Sequence, residues 1–213
     1  RAGQEIMARA VAEAFGGDHP LLVEAGTGVG KSLAYLVPAL IRAHLTGRQA
    51  VVSTHTIALQ EQIQHKDLEL VRHLFRSVPD LAGWAQFSTA LLVGRANYLC
   101  PQRLGMALRQ RTDLFAGTDQ DDLGRIAEWA KETRTGLRHE LSPTVDSEVW
   151  DWVNADSASC SRRTCKPDTC FFQAARARIR EAKLVIVNHS LLFALLGAGA
   201  GPGGKVRGIL FPE

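Results

Sequence analysis

The sequence has few cysteines and no long apolar run. Four of its 213 residues are cysteine, and 7% are aromatic. No stretch approaches the roughly 18 consecutive apolar residues of a membrane span, and the first residues lack the apolar core of a signal peptide. These absences argue against a disulfide-rich secreted domain and against a membrane partner, so the predicted location is cytoplasmic.

An initiator methionine is also missing. The sequence begins at Arg1 and stops at "GILFPE", within an apolar run that is typical of a strand. We therefore expect a segment of a longer protein.

What the sequence does contain suits a globular α/β unit. Apolar residues make up 46% of the chain, enough to fill the core of one large or two small domains. The formal net charge is only +3, so the total charge does not by itself indicate a nucleic-acid-binding protein.

The first half of the chain alternates helix and strand patterns. "GQEIMARAVAEAF" has helical periodicity and is followed by Gly16 and Gly17. A strand is predicted at Leu21–Val23, a helix from Lys31 to about Leu45, a buried strand in "QAVVSTH" and a helix in "IALQEQIQHKDLELVRHLF". This order predicts a parallel sheet with right-handed crossovers.

The pattern changes at Pro101. A polar, charged and mainly helical stretch follows, with few apolar residues and no convincing buried strand until "AKLVIVNHS". The α/β pattern resumes at Leu184–Val187, passes the flexible "GAGAGPGG" and reaches "RGILF", which is predicted to be one more core strand. We therefore interpret the polar stretch as an insertion in an α/β domain.

A glycine-rich turn separates the first predicted strand from the second helix. Small residues let consecutive backbone N–H groups surround a phosphate, and the following helix adds the positive end of its dipole. Such a turn can also occur without a ligand, but here Lys31 would reach the β and γ phosphates and Ser32 would ligate Mg²⁺. The predicted nucleoside triphosphate site consists of Ala25, Gly26, Thr27, Gly28, Val29, Gly30, Lys31 and Ser32.

The four cysteines form a candidate metal site. Cys160, Cys165 and Cys170 follow the spacing Cys-x4-Cys-x4-Cys, and Cys100 precedes the polar stretch. Four thiolates can close a Zn²⁺ site or bind a [4Fe–4S] cluster. The lack of Cys-x-x-Cys pairs favours the cluster, with zinc or unrelated buried thiols as the alternatives.

Several phrases together resemble the XPD/DinG-like iron–sulfur helicases of superfamily 2, and the long spacer between the first two cysteines resembles the bacterial DinG branch. "RAGQEIM" is similar to the family's adenine-reading Q motif, "EAGTGVGKS" to its Walker A and "VVSTHTIALQEQI" to its motif Ia. "GRANYLC" is similar to the lead-in to the first cluster cysteine, and "CFFQAARARIREAKLVIVNHSLL" to the segment after the last.

The resemblance implies roles for individual residues. It makes Gln4 the adenine contact, with Arg1 beside it. It makes Lys31 and Ser32 the catalytic contacts to ATP and Mg²⁺. It also makes the four cysteines the ligands of a [4Fe–4S] cluster.

The resemblance also implies a fold and an activity. The fold is a P-loop NTPase (RecA-like) parallel sheet with a mainly helical iron–sulfur insertion. Residues 1–99 would be the first part of helicase domain 1, residues 100–170 the insertion, and residues 171–213 the return to domain 1. The activity would be ATP-driven 5′-to-3′ translocation on single-stranded DNA and unwinding of forked or other duplex DNA. The implied protein is a monomer at the bacterial nucleoid that acts in DNA repair or replication.

The sequence departs from this family in one large respect. It lacks the Asp-Glu-Ala-His of Walker B, the second motor domain with its arginine finger, and the arch domain. We therefore expect this segment alone to bind nucleotide and cluster but to hydrolyse little ATP. The alternatives are an iron–sulfur nucleotide- and DNA-binding redox module without unwinding activity, and a Zn²⁺-stabilised P-loop protein of another kind.

DNA contacts are predicted first in motif Ia. Ser53, Thr54 and His55 would stand at the carboxyl end of a strand, where ligands meet open α/β sheets. The alternative is that these residues only cap the following helix.

A second predicted DNA contact is a basic cluster around the last cysteines. It could track a single strand, with Phe171 or Phe172 stacking on bases, although a run of charge is more often a solvated face. Its members are Arg162, Arg163, Lys166, Arg176, Arg178 and Arg180. Trp129, Trp150 and Trp152 are interpreted as a local core rather than as stacking platforms.

Overall fold

The computed structural model describes residues 2–17, 20–26, 28–110, 117–158, 160, 165–197 and 209–210. The chain divides into two compact units. The sheet unit comprises Arg1–Leu92 and Arg178–Glu213, and the insertion unit comprises Val93–Ala177. The predicted insertion limits, residues 100 and 170, fall inside the insertion unit and stay predictions. Within the described ranges, no helix has both the length and the apolar character that crossing a bilayer requires.

The helices and strands have the following bounds in chain order. The helices are α1 (Ala2–Gly16), α2 (Lys31–Thr46), α3 (Ile57–Gln62), α4 (Leu68–Ser77), α5 (Pro101–Arg109), α6 (Thr118–Glu132), α7 (Ser147–Val153), α8 (Phe171–Glu181) and α9 (His189–Gly197). A π-helical segment, Ile63–Asp67, joins α3 to α4. The strands are β1 (Ala50–Thr54), β2 (Thr89–Leu92), β3 (Leu184–Asn188) and β4 (Ile209–Leu210).

The sheet unit is built on four parallel strands in the order β2-β3-β1-β4. The register places Val52 beside Ile186 and Leu210, and places Leu91 beside Ile186 on the other side of β3. All five residues of β1 are buried, as expected of a central parallel strand. The parallel sheet with its helices confirms the predicted α/β fold and is consistent with a RecA-like P-loop domain.

The helices of the sheet unit each bury one apolar face. Leu36 and Leu40 of α2 are fully buried, and Phe75 of α4 packs in the same core with Leu184 and Ile186 of β3. Removing one such leucine from water contributes about 2 kcal/mol. The helix α2 also ends as predicted, because Gly47 has a φ of 68°, a backbone conformation that favours glycine.

The structure removes one predicted strand of the sheet and adds one that was not predicted. The strand predicted at Leu21–Val23 is wrong, because these residues are not in a strand and Leu22 is 98% exposed. An apolar triplet forms a strand only where a neighbouring strand supplies the ladder hydrogen bonds, and no described strand pairs with it. The sequence analysis also missed β2, which lies beside β3 and buries Ala90 and Leu92.

The last predicted strand is only partly described. Ile209 and Leu210 pair with β1 as β4, which confirms a strand at these two residues of "RGILF". The glycine tract before it begins at Gly197, the last residue of α9, and the rest of the tract lies outside the described residues.

The insertion unit has an apolar core of its own, of which the sequence analysis anticipated only the tryptophans. Two antiparallel bridges, Tyr98 with Leu137 and Leu99 with Asn154, tie its segments together. The expectation of few apolar residues to hold this region is therefore wrong. The core consists of Leu99, Leu104, Ala107, Leu123, Ile126, Leu141, Val145, Val149, Trp150 and Val153.

The tryptophans mostly bear out the interpretation as a local core. Trp150 is only 1% exposed, and its indole N–H donates a 2.8 Å hydrogen bond to the carbonyl oxygen of Ala96. Trp129 packs against the same core with its ring centroid 6.4 Å from that of Trp150. Trp152 is 48% exposed, so it is not a core residue of this unit.

Candidate functional site

The glycine-rich turn has the backbone that a phosphate site requires. Gly28 and Gly30 have φ values of 79° and 88°, in the left-handed region that favours glycine. Gly30 stands at the N-cap of α2, and no side chain caps the helix there. The free N–H groups of the first turn of a helix 16 residues long therefore lie next to the turn, where an anion is favoured.

Lys31 lies back across this turn. Its Nζ donates a 3.1 Å hydrogen bond to the carbonyl oxygen of Ala25, six residues earlier. The ammonium group is therefore held over the loop rather than extended into solvent. A phosphate bound in the turn would be within reach of that charge.

Ser32 follows on the first turn of α2. Tyr35 lies one helical turn further along α2 and is 4% exposed. Burial raises the pKa of its phenol to about 12. The Ser32 side chain opposes this rise, and the negative charge of Asp67 adds to it.

Gln4 joins α1 to the glycine-rich turn. Its Nε2 donates a 3.0 Å hydrogen bond to the carbonyl oxygen of Gly30. A Cβ at Gly30 would lie only 2.6 Å from that nitrogen, so a side chain there would displace the Gln4 amide. The structure thus brings Gln4 to the predicted nucleotide site, while Arg1 and Thr27 lie outside the described residues.

The carboxyl ends of β1 and β3 bring together polar side chains from distant parts of the sequence. The Ser53 hydroxyl lies 2.7 Å from Nδ1 of His189, across 136 residues of sequence. The rings of His55 and His189 are 6.3 Å apart, and His55 is exposed. These groups occupy the edge of the sheet where α/β proteins bind ligands.

The motif Ia residue Thr54 makes its side-chain hydrogen bond inside the protein. Thr54 is 1% exposed, and its hydroxyl donates a 3.0 Å hydrogen bond to the carbonyl oxygen of Thr56. The cap of α3 is Thr56, whose hydroxyl accepts from the Leu59 N–H at 3.2 Å. The residue that caps α3 is therefore Thr56, which the sequence analysis did not single out. DNA contacts by Thr54 and His55 stay predictions.

The four cysteines all belong to the insertion unit and are free thiols. The Cys100 N–H donates to the carbonyl oxygen of Val153 at 2.8 Å, and Pro101 then begins α5. Cys170 directly precedes α8, and Cys160 donates its N–H to Asp156 at 3.0 Å. Cys100, Cys165 and Cys170 are buried.

The thiols are close enough to act on one another electrostatically. Burial raises the pKa of Cys160, the charges of the other three cysteines raise it further, and Arg95 opposes the rise. Burial also raises the pKa of Cys170, with opposing hydrogen bonds from the backbone N–H groups of Gln173 and Phe172. Four thiolates in this position would repel one another, so a bound positive centre is what would keep them deprotonated.

The described residues do not contain a preformed site for a single metal ion. No group of three or more His, Cys, Asp or Glu side chains in that part of the chain is arranged to hold one. In the described part of the insertion unit, support for a shared ligand therefore comes from the effect of the thiols on one another's pKa values.

The structure uses both phenylalanines beside Cys170 for packing. Phe172 is 6% exposed, with the guanidinium of Arg95 at 5.0 Å and that of Arg176 at 5.8 Å from its ring centroid. Phe171 packs against the core of the insertion unit. The buried Phe172 is not free to stack on a base, whereas stacking by the half-buried Phe171 stays a prediction. The predicted contacts Arg162 and Arg163 lie outside the described residues.

Arg95 was not singled out in the sequence analysis, although it lies in the phrase "GRANYLC". It lines a cleft of about 590 Å³ with Arg103, Asp151 and Asp156. Arg103 donates hydrogen bonds to the backbone carbonyls of Asn154 at 2.9 Å and Asp151 at 2.7 Å. Two arginines and two aspartates line the cleft, so their formal charges balance. The sequence signal that could have identified Arg95 is its position five residues before Cys100.

The comparisons with known proteins agree with the motifs. Residues 4–89 match the DEAD/DEAH box helicase family. The chain is 40% identical over 207 residues to the ATP-dependent helicase DinG of Mycobacterium tuberculosis, an alignment that covers 90% of this chain and 30% of that protein. It is 36% identical over 217 residues to the ATP-dependent DNA helicase DinG of Escherichia coli K12, covering 94% of this chain and 29% of that protein.

These similarities confirm the resemblance inferred from the motifs and support a DinG-like helicase segment. The chain spans only about 30% of the length of the curated relatives it matches.

Proposed function

We propose that this segment is the nucleotide-binding part of an ATP-dependent DNA helicase. The observation that carries the proposal is the turn before α2, where Gly28 and Gly30 have left-handed backbones and Lys31 lies across the loop. In this proposal the backbone N–H groups of residues 26–31 hold the phosphates of ATP. Lys31 moves from the Ala25 carbonyl to the β and γ phosphates, and Ser32 ligates Mg²⁺.

Gln4 is proposed to read the adenine base. Its side-chain amide can pair with both a donor and an acceptor on the base edge. Its hydrogen bond to Gly30 supports this role, because it places the amide next to the phosphate-binding turn. Arg1, Ala25, Gly26, Thr27 and Val29 complete the proposed contacts.

The cysteines are proposed to hold a [4Fe–4S] cluster. The support is the donor set: four free thiols, soft ligands that suit iron–sulfur clusters and zinc, interacting with one another inside one unit. Each cysteine of such a cluster binds a different iron, so its ligands need not surround one point. When bound, the cluster would link distant parts of the insertion unit, since Cys100 precedes α5 and Cys170 precedes α8.

The whole protein's activity is proposed to be 5′-to-3′ movement on single-stranded DNA and unwinding of forked or other duplex DNA in repair or replication. The relatives named DNA helicases support a DNA substrate. Thr54 and His55, at the edge of the sheet, are the proposed strand contacts, with Arg162 and Arg163. A cytoplasmic location at the nucleoid and a monomeric state follow the same proposal.

The test begins with ATP binding. We expect the wild-type chain to bind MgATP in a calorimetric titration. Lys31→Ala should bind it on the order of ten- to a hundredfold more weakly, because hydrogen bonds from a charged donor are lost. Lys131→Ala is the matched control, since this exposed lysine of the insertion unit forms an ion pair with Glu128 and lies far in sequence from the glycine-rich turn. Equal affinity of the Lys31→Ala and Lys131→Ala chains would overturn the nucleotide assignment.

The cluster is tested separately. Protein purified without oxygen should be brown and should contain iron and acid-labile sulfide, and the Lys31→Ala chain should contain as much of both as the wild type. One zinc per colourless chain would instead favour a Zn²⁺-stabilised P-loop protein. Iron together with ATP binding but no unwinding by the whole protein would favour the redox module.

A further inference from the structure

Arg103 joins two segments of the insertion unit that each lead to a cysteine. It lies on the first turn of α5, three residues after Cys100. Its Nη1 donates a 2.9 Å hydrogen bond to the backbone carbonyl oxygen of Asn154 and a 3.0 Å hydrogen bond to the side-chain oxygen of the same residue. Its Nη2 donates to the backbone carbonyl oxygen of Asp151 at 2.7 Å. The guanidinium group therefore connects the start of α5 to the end of α7.

The carbonyl groups that accept these bonds belong to the carboxyl end of α7. The last carbonyl groups of a helix have no partner within the helix, and the helix dipole favours a cation beside them. The helix α7 has only seven residues, and so short a helix depends on tertiary contacts to stay formed. Its C-cap residue, Asn154, is 7% exposed and donates from its side-chain amide to the Asp151 carboxylate at 2.9 Å. Arg103 thus fixes the point at which the chain leaves α7.

Cys100 and Cys160 both lie beside this junction. The Cys100 N–H donates to the carbonyl oxygen of Val153, the last residue of α7, at 2.8 Å. The Cys160 N–H donates to the carbonyl oxygen of Asp156 at 3.0 Å. The Asp156 carboxylate lies 4.0 Å from Nη1 of Arg103. Backbone hydrogen bonds therefore tie each cysteine to one side of the junction, and Arg103 is the side chain that spans it.

We propose that Arg103 is a positioning residue for the cysteine site, because it holds the segment that carries Cys160 against the start of α5, where Cys100 lies. This inference rests on the proposed [4Fe–4S] cluster. A guanidinium group presents its donors in a fixed, planar fork, so it sets the angle between two segments as well as their separation. A side chain that only filled space would fix neither. Residues that orient metal ligands without binding the metal change metal affinity by roughly ten- to a hundredfold.

The test measures how firmly the chain, purified without oxygen, keeps its iron. Iron release to an excess of the chelator bipyridine is followed by the absorbance of the iron complex. We expect Arg103→Leu to release iron on the order of tenfold faster than the wild type, because leucine donates no hydrogen bond. Arg103→Lys should restore part of the retention, since its ammonium group can still donate to one of the carbonyl groups. Hydrogen–deuterium exchange in Arg103→Leu should be faster at the amides of Cys100 and Cys160.

Two kinds of control separate positioning from general stability. Arg109→Leu removes an exposed arginine at the other end of α5 and should leave iron release unchanged. Leu123→Ala opens a cavity in the core of the same unit, and Ile126→Val is a milder change in that core. Both core variants should lower the temperature of thermal unfolding but release iron at the wild-type rate well below that temperature.

The outcomes distinguish this inference from the proposed cluster. Wild-type chain without iron would overturn the cluster and the inference with it. Iron release from Arg103→Leu as slow as from Arg109→Leu would overturn only the inference. Equally fast release from Leu123→Ala and Arg103→Leu would also overturn it, since retention would then simply follow the stability of the unit. If Arg103→Leu does not fold, Arg103→Lys takes its place, and iron release at the wild-type rate from that variant would count against the inference.

Discussion

The side-chain amide of Gln4 donates a hydrogen bond to the backbone carbonyl of Gly30, the N-cap residue of α2. The bond joins the first helix of the chain to the glycine-rich turn across 26 residues of sequence. Because the Gly30 carbonyl also accepts from the Ala34 N–H at 3.3 Å, any movement of Gln4 is transmitted to the first turn of α2. A residue that reads the base would thus also set the shape of the phosphate site.

Gln4→Ala is expected to weaken ATP binding more than GTP binding. The loss of a base contact worth one net hydrogen bond should reduce the preference for ATP by roughly three- to tenfold. Both nucleotides should also bind slightly less tightly, because the turn loses its bond to Gln4. Competition titrations with the two nucleotides measure this, and exposed Gln62→Ala is the matched control. Equal losses for ATP and GTP would remove Gln4 from the base-reading role.

Cys165→Ser is expected to deplete iron while leaving the sheet unit folded. The apolar core around Trp150 should keep α5, α6 and α7 in place, so the loosening should be confined to the stretch between Asp156 and Cys170. Limited proteolysis should cut there first, and ATP affinity should match that of the wild type. Ser157→Ala, an exposed change in the same stretch, is the control.

Two outcomes would contradict this prediction. Wild-type iron content in Cys165→Ser would show that this cysteine is not a ligand. Collapse of the whole insertion unit would show that the core cannot hold it without the cluster. Duplex unwinding by the whole protein should fail in the variant if the cluster has a structural role.

Gly136→Ala is expected to destabilise the insertion unit by about 2–4 kcal/mol. Gly136 has a φ of 67°, and a Cβ added there would collide with the ring of Phe171. Since Phe171 follows Cys170, iron content should fall as well. Thermal unfolding followed by circular dichroism measures the loss.

Gly124→Ala is expected to raise the stability of the insertion unit instead of lowering it. Gly124 lies within α6, and a Cβ there would meet nothing within 4 Å. This change should stabilise the unit by about 0.5–1 kcal/mol, because alanine loses less backbone entropy in a helix. A Gly136→Ala chain as stable as Gly124→Ala would disprove the contact with Phe171.

Tyr35 is expected to make the sheet unit sensitive to alkali. Its pKa is about 12 in the folded chain against an ordinary 10.0, chiefly because of burial. The unfolded chain therefore loses this proton first as the pH rises. The contribution is fully present below pH 10 and is lost between about pH 10 and 12, by at most about 3 kcal/mol.

Tyrosinate absorbance can test this directly. The chain has two tyrosines, so Tyr35→Phe leaves only Tyr98. The difference between the wild-type and variant titrations should show Tyr35 ionising together with alkaline unfolding, well above pH 10. Ionisation of Tyr35 near its ordinary pKa in folded protein would contradict the buried position.

The parts of the fold that could be predicted are those with local signals. The helix α2 has glycines at both ends, and β1 and β3 are continuous apolar runs. Leu21–Val23 carries the same apolar signal without a strand, because strand formation depends on partners that sequence does not reveal. The short β2 was missed since only alternate residues, Ala90 and Leu92, are buried.

In the candidate site too, some residues could be identified from a local sequence pattern, and others are brought together only by the fold. The glycine-rich turn is contiguous, so its residues could be named from the sequence. The pair Ser53 and His189 is separated by 136 residues, and only the parallel pairing of β1 with β3 brings it together. The core of the insertion unit was missed because its apolar residues are scattered among charged ones on three helices and their loops.

The π-helical segment Ile63–Asp67 determines where the surrounding helix can lose one residue. Buried residues before and within it fall at Gln60, Ile63 and Asp67, and after it at Leu68, Val71 and Phe75. Each set has the same internal spacing, but the second begins eight residues after the first, whereas two turns of regular α-helix take about seven. The helix thus carries one surplus residue, absorbed by the wider turn. Deleting one exposed residue there, such as His65, would convert the segment to regular α-helix. Leu68, Val71 and Phe75 would then still face the core. A one-residue deletion within α4 would instead turn the residues beyond it toward solvent.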